Sequence, residues 1–230
     1  MIKCRLNLNV YVLEKKMKKS LLVLLMMSSS VFAGVPADLR INGVFDGTFS
    51  GGGPKFVEFY VINDIVNLNH YGFGSANNGS GSDSVEFSFP GVSATAGDFI
   101  YVVYSGNDGA NLFMNYFGFA ANYSTDIAPN VNGNDAIELF NTNAVLRGGN
   151  ALIDVYGAQN TDGAGEVWEY TNSFAHSKSA RAPSTTFTPA DWNFEAINIL
   201  DSCNTGTNGT CSDFYPVNTL PVELMNFSVE

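Results

Sequence analysis

Short runs rich in β-branched and aromatic residues recur along this chain, each closed off by a cluster of Gly, Asn, Ser and Asp. That punctuation is the pattern of short strands joined by turns. It predicts strands over Lys55 to Asn63, Ser84 to Phe89, Asp98 to Tyr104, Asp135 to Asn141, Ala151 to Tyr156 and Glu166 to Tyr170. Further strands are expected at Asp38 to Phe45, His70 to Phe73 and Phe174 to Lys178. In the first of these, Val57, Phe59 and Val61 share one face, while Phe56, Tyr60 and Ile62 share the other with Glu58. Both faces are largely apolar, so this strand is expected in the middle of a sheet covered on both sides, by a second sheet or by a loop across the back. Glu58 then needs a partner, expected to be a backbone group or one of the few arginines.

Only Leu112, Phe113, Tyr116 and Phe117 follow the spacing of a single buried helical stripe, which predicts one short helix. Eighteen phenylalanines, ten tyrosines and two tryptophans supply the large buried areas a thin sandwich requires. The residues therefore predict an all-β sandwich with one short helix. Ser75 to Asp83 and Ser105 to Asn111 read as long loops, either plain exposed connections or the places where a ligand binds.

Lys18 and Lys19 precede the apolar run Leu21 to Met27, and small residues lead to Val31-Phe32-Ala33. This is the pattern of a secretory signal peptide at 17–33 cleaved after Ala33, since a membrane span needs roughly 20 apolar residues. An uncleaved anchor is the weaker alternative. Met17 is the better initiator, and the stretch ahead of it reads as an over-called start. The leader holds six of the 11 basic residues and one of the 22 acids, leaving five against 21, a net charge of −16. Arg40, Lys55, Arg147, Lys178 and Arg181 are too scattered for a phosphate-binding patch, so nucleic acid is not the expected partner. No transmembrane segment is expected once the leader is removed.

Cys4 belongs to the leader, so the exported chain keeps two cysteines, Cys203 and Cys211. An even pair outside the cell predicts a disulfide bracing a C-terminal loop. The rival, a reactive dithiol, lacks the Cys-x-x-Cys spacing.

Neither His70 nor His176 lies in a metal-ligand spacing, and no Gly-x-Ser-x-Gly elbow occurs. Lone histidines of this kind are usually surface residues, so no catalytic residue is assigned and the chain is read as a non-enzyme. Calcium is the one cofactor the composition admits, because it takes oxygen ligands from Asp, Asn and Gly-rich backbone. Asn130, Asn132, Asn134 and Asp135 form one such loop, and Asp162 and Glu166 flank Gly163 and Gly165 in another. Neither is a full calcium loop. The favoured reading is that these side chains cap turns, so no metal ligand is assigned. Trp168 and Trp192 are either core residues, the favoured reading, or exposed stacking platforms, and in Val167-Trp168 one of the two is expected inside.

Five blocks in order resemble the lamin-tail domain family as it occurs in bacterial secreted proteins. They are Lys55-Phe56-Val57-Glu58-Phe59-Tyr60; Ala96 to Val103; Asn132 to Phe140; Ile153 to Gly157 with Asp162 to Gly165 and Trp168-Glu169-Tyr170; and Arg181 with Asp191-Trp192-Asn193-Phe194. The resemblance spans roughly 37–201. It implies an immunoglobulin-like β-sandwich without an active site of its own, although Asn134 stands where an acidic residue is usual. Leu220-Pro221-Val222-Glu223-Leu224 is similar to the element that precedes a further module in type IX secretion cargo proteins. The chain thus divides into a leader (1–33), a lamin-tail-like sandwich (34–201) and a C-terminal loop with the disulfide and a linker to a missing module (202–230). The alternative is that the last strand simply closes the domain.

The expected function is a non-catalytic, secreted or cell-surface binding or adhesion module whose partner is a protein or another cell-surface ligand. The second reading is the accessory domain of a larger secreted nuclease or phosphatase whose catalytic part is absent from this chain.

Overall fold

A computed structural model of the chain describes residues 37–49, 51–143, 149–179, 181–203 and 205–218. The leader and the Leu220 to Leu224 element lie outside the described residues. Among the described residues the strands are β1 (Leu39–Phe49), β2 (Gly53–Val61), β3 (Tyr71–Ala76), β4 (Phe87–Ser88), β5 (Phe99–Tyr104), β6 (Tyr123–Thr125), β7 (Ala136–Asn141), β8 (Ala151–Tyr156), β9 (Phe174–Ser177) and β10 (Trp192–Phe194). The one α-helix among them, α1, is Gly109–Phe117.

The strands form a six-stranded sheet in the order β10-β9-β1-β2-β5-β6 and a four-stranded sheet in the order β4-β3-β7-β8. Pairing is antiparallel except between β5 and β6. The sheets pack face to face as an all-β sandwich with one short helix, the expected fold class. Phe59 of β2 meets Phe73 and Phe89 across the interface, with ring centroids 5.0 and 5.2 Å apart. Tyr156 of β8 meets Trp192 of β10 at 4.7 Å, closing one side of the sandwich.

The pleat of β2 explains the third layer. Val57, Phe59 and Val61 face the four-stranded sheet, so Phe56 and Glu58 must face the opposite way. That back face is aromatic: Phe45, Phe56, Tyr101 and Phe174 lie there with Phe113 and Tyr116 of α1 and with Leu200, Cys203 and Tyr215 of the C-terminal segment. The central strand is therefore covered on both sides, as its two apolar faces require. Phe113 and Tyr116 carry the stripe that the helical spacing predicts. Gly118 ends the helix in the left-handed region (φ 82°), and its N–H donates to the Met114 carbonyl.

Two expectations are corrected. Glu166 to Tyr170 is not a strand: Glu166 N–H donates to the Gly163 carbonyl and Glu169 N–H to that of Glu166, so the backbone turns twice. Trp168 is nonetheless buried and Val167 exposed, an alternation produced by the turns rather than by a pleat. In the expected Ser84 to Phe89 strand only Phe87–Ser88 pairs with β3. Both tryptophans lie in the core, Trp168 against Tyr156 at 6.1 Å and Trp192 against the same ring.

Candidate functional site

The sandwich buries several polar and charged side chains. Glu58, Asn42, Asp154, His176, Arg40 and Arg181 are all buried, and they fall into two linked clusters. A bulge in β1 assembles the first. Ile41 pairs with Phe59 and Gly43 with Glu58, so Asn42 is the extra residue and its side chain reaches the back face beside Gly43. Asn42 Nδ2 donates to Glu58 Oε2 (2.9 Å) and lies 3.1 Å from His176 Nε2. Ser177 Oγ and Arg40 Nη2 donate to Asn42 Oδ1 at 3.1 and 3.2 Å. From the back layer Tyr215 donates its hydroxyl to Glu58 Oε2 (2.6 Å), and from β5 Tyr101 donates to Oε1 (2.5 Å).

Glu58 therefore takes its partners from two phenols and an amide, with His176 Nε2 3.4 Å from Oε2, and not from the backbone or an arginine as expected. Acceptor and donors match: a carboxylate has about four lone-pair sites, and three donors fill most of them. Burial, then the Glu58 charge, pushes both phenols well above their ordinary value of 10.0, so they remain donors. His176 is buried in β9 rather than lying at the surface. His70 sits apart from it, beside Asn143.

The second cluster pins β1 to β8. Arg181 donates to both oxygens of Asp154 at 2.6 Å in a planar fork, and to the Ile41 carbonyl. Asp154 also accepts the N–H groups of Ile41 (2.8 Å) and Ser184 (3.0 Å). Arg40 donates to the carbonyls of Arg181 and Lys178. Burial, followed by the charge of Arg181, lowers the Arg40 guanidinium to about 10, which leaves it charged at neutral pH. Sealed from solvent, these clusters act on the fold.

The exposed polarity lies elsewhere, where three Asn- and Gly-rich connections meet at one end of the sandwich. Asn134 Nδ2 donates to Asp162 Oδ1 (2.8 Å) and to Asn78 Oδ1 (3.3 Å). Asp135 accepts the N–H groups of Asn78 (2.9 Å) and Asn132 (3.2 Å). Gly81 N–H donates to the Gln159 carbonyl, Gly163 N–H to Asn134 and Tyr170 N–H to Gly133. Gly133 (φ 85°) is obligatory here, because a Cβ would strike the backbone of Thr171. Below this platform Lys55 Nζ contacts Asp46 Oδ1 and the Val131 carbonyl, and Asn172 N–H donates to Asp46 Oδ2. Burial pushes the Asp46 carboxyl up, and Lys55 works against it.

The structure thus brings together the two loops singled out for calcium, through Asn134 and Asp162. Their carboxylates serve as turn caps: Asp162 Oδ1 also accepts Ala164 N–H at 3.0 Å, and both Asp135 oxygens are occupied. Among the described residues no group of three or more His, Cys, Asp or Glu is placed to hold a metal ion, and no helix is long and apolar enough to cross a membrane. Cys203 and Cys211 form a disulfide with Cα atoms 5.4 Å apart.

Sequence reasoning did not find Asn42, Asp154 or Tyr215. The available signal was Glu58 itself, an acid in an apolar run that obliges the fold to supply donors. Compared with known protein families, with curated proteins and with solved structures, the chain matches none.

Proposed function

We propose that this chain is an exported, non-catalytic binding or adhesion module of the lamin-tail-like kind, working outside the cell through the loop platform at one end of its sandwich. The observation that carries this reading is the mutual locking of Asn78, Asn134 and Asp162 across three separate connections. A polar surface already fixed by its own hydrogen bonds loses little freedom when a partner docks, so more of the contact energy appears as affinity. The exposed amide of Asn78 and carboxylate of Asp162, carried on turns, suit a polar protein or glycan surface. The disulfide fits an oxidising exterior.

The test uses the full chain, labelled and applied to intact cells. Binding should fall at least tenfold in Asn134→Ala with Asp162→Ala, and should be unchanged in Val66→Ser, which alters an exposed side chain on the separate 62–70 connection. Equal binding by both variants, or phosphoester turnover that survives repurification, would rule the reading out.

A further inference from the structure

The C-terminal segment crosses the back of the six-stranded sheet without joining it. Tyr215 is fully buried, with its ring 5.2 Å from those of Phe56 and Phe174 and 5.7 Å from that of Phe45. Its hydroxyl reaches Glu58. Its backbone N–H and carbonyl are both taken by one side chain, that of buried Asn208, at 2.8 Å each. Asn218 N–H donates to the Tyr101 hydroxyl at 2.9 Å. Among the described residues, 205–218 pair with no strand.

The position of Asn208 is therefore decisive, and it is set by a closed turn. Thr207 and Thr210 cap that turn reciprocally, and Cys203 and Cys211 cross-link its ends. Cys203 is buried in the aromatic cluster, while Cys211 is only half-buried at its edge, with its sulfur 3.5 Å from the Asp213 carbonyl. A chain of support runs from the disulfide through Asn208 to Tyr215 and on to Glu58. Opening the first link frees the turn that holds the second.

We propose that the Cys203–Cys211 disulfide is a redox-operated latch: a dithiol reductant opens it, and the strap over 205–218 lifts from the sheet to uncover the aromatic face of Phe45, Phe56 and Phe174. A thiolate of the reductant attacks Cys211 Sγ, and the electron pair of the broken bond leaves on Cys203. The second thiol of the reductant resolves the mixed disulfide. The protein gains two electrons and two protons as two thiols, and the reductant leaves as its own disulfide. The strap suits this role because it makes no backbone ladder with the sheet, so its hold rests on Tyr215, on Asn218 and on the cross-linked turn. The latch is independent of the loop platform.

Hydrogen exchange of the full chain, with and without dithiothreitol, tests this. Amide exchange over 205–218 should rise at least tenfold on reduction, while β3 and β7 stay unchanged. Cys203→Ser with Cys211→Ser should reproduce the reduced pattern without reductant. Unchanged exchange in the strap would overturn the latch, since the bridge would then only staple its own turn. Equal acceleration in β3 and β7 would also overturn it, because the bridge would then support the whole domain.

Discussion

The hydroxyl of Tyr215 occupies the space in which residue 43 would carry a Cβ, so Gly43 is the residue that lets the C-terminal strap reach Glu58. Gly43→Ala places a methyl group on that hydroxyl and within 3.3 Å of the Ala175 carbonyl. Overpacking of this kind costs roughly 1–3 kcal/mol. Urea unfolding should show a loss in that range. Combining Gly43→Ala with Tyr215→Phe, which removes the clashing oxygen, should cost less than the two single losses added together.

Glu58 is the acceptor for that hydroxyl and for Tyr101. Glu58→Gln keeps the shape but turns an amide donor toward at least one phenol, leaving a buried polar group unpaired at about 1–3 kcal/mol. Denaturant titration should show the loss, and replacing the phenols by Phe in the same background should recover part of it.

The Arg181–Asp154 fork joins the sheets at a buried position. Removing one partner of such a pair strands the other charge, at about 3–5 kcal/mol. Asp154→Ala should therefore be the most damaging of these single changes by chemical denaturation. Arg181→Lys keeps the charge but loses the fork, and should fall between Asp154→Ala and the native chain.

How much of this was legible in the sequence differs by element. The alternation in 56–62 foretold a strand with both faces covered, and Leu112 to Phe117 foretold the helix, because each pattern repeats within one element. The cysteine pair was readable from the even number left once the expected leader is set aside. The Glu58 cluster was not, since Tyr215 lies 157 residues from Glu58 and Asn42 reaches it only through a bulge that no periodicity records. Strands β6 and β10, three residues each, are too short to show a period. Glu166 to Tyr170 imitated one because two tight turns also alternate burial.

Alkaline pH should weaken the fold. Burial raises the tyrosines, to about 12 for Tyr71 and Tyr116 and further for Tyr101, Tyr156, Tyr170 and Tyr215. A raised phenol favours the protonated native state, so its contribution is complete below the unfolded value of 10.0 and is lost as pH climbs through the folded one. Melting midpoints should hold below pH 10 and fall between pH 10 and 12. Phenolate absorbance should rise together with unfolding rather than ahead of it.

The carboxylates of Asp135 and Asp162 already cap turns, so a chelator should leave the melting midpoint where it is. A midpoint raised by added calcium would assign the platform a cation, because a ligand of the native state alone must raise apparent stability.

The proposed binding role rests on the platform around Asn78, Asn134 and Asp162. A hydrogen-exchange footprint of the full chain bound to intact cells, compared with the free chain, tests this proposal. Protection confined to 77–84, 130–135 and 157–166 is the expected result. Protection over 62–70 and 89–98 instead, with those loops unchanged, would contradict it.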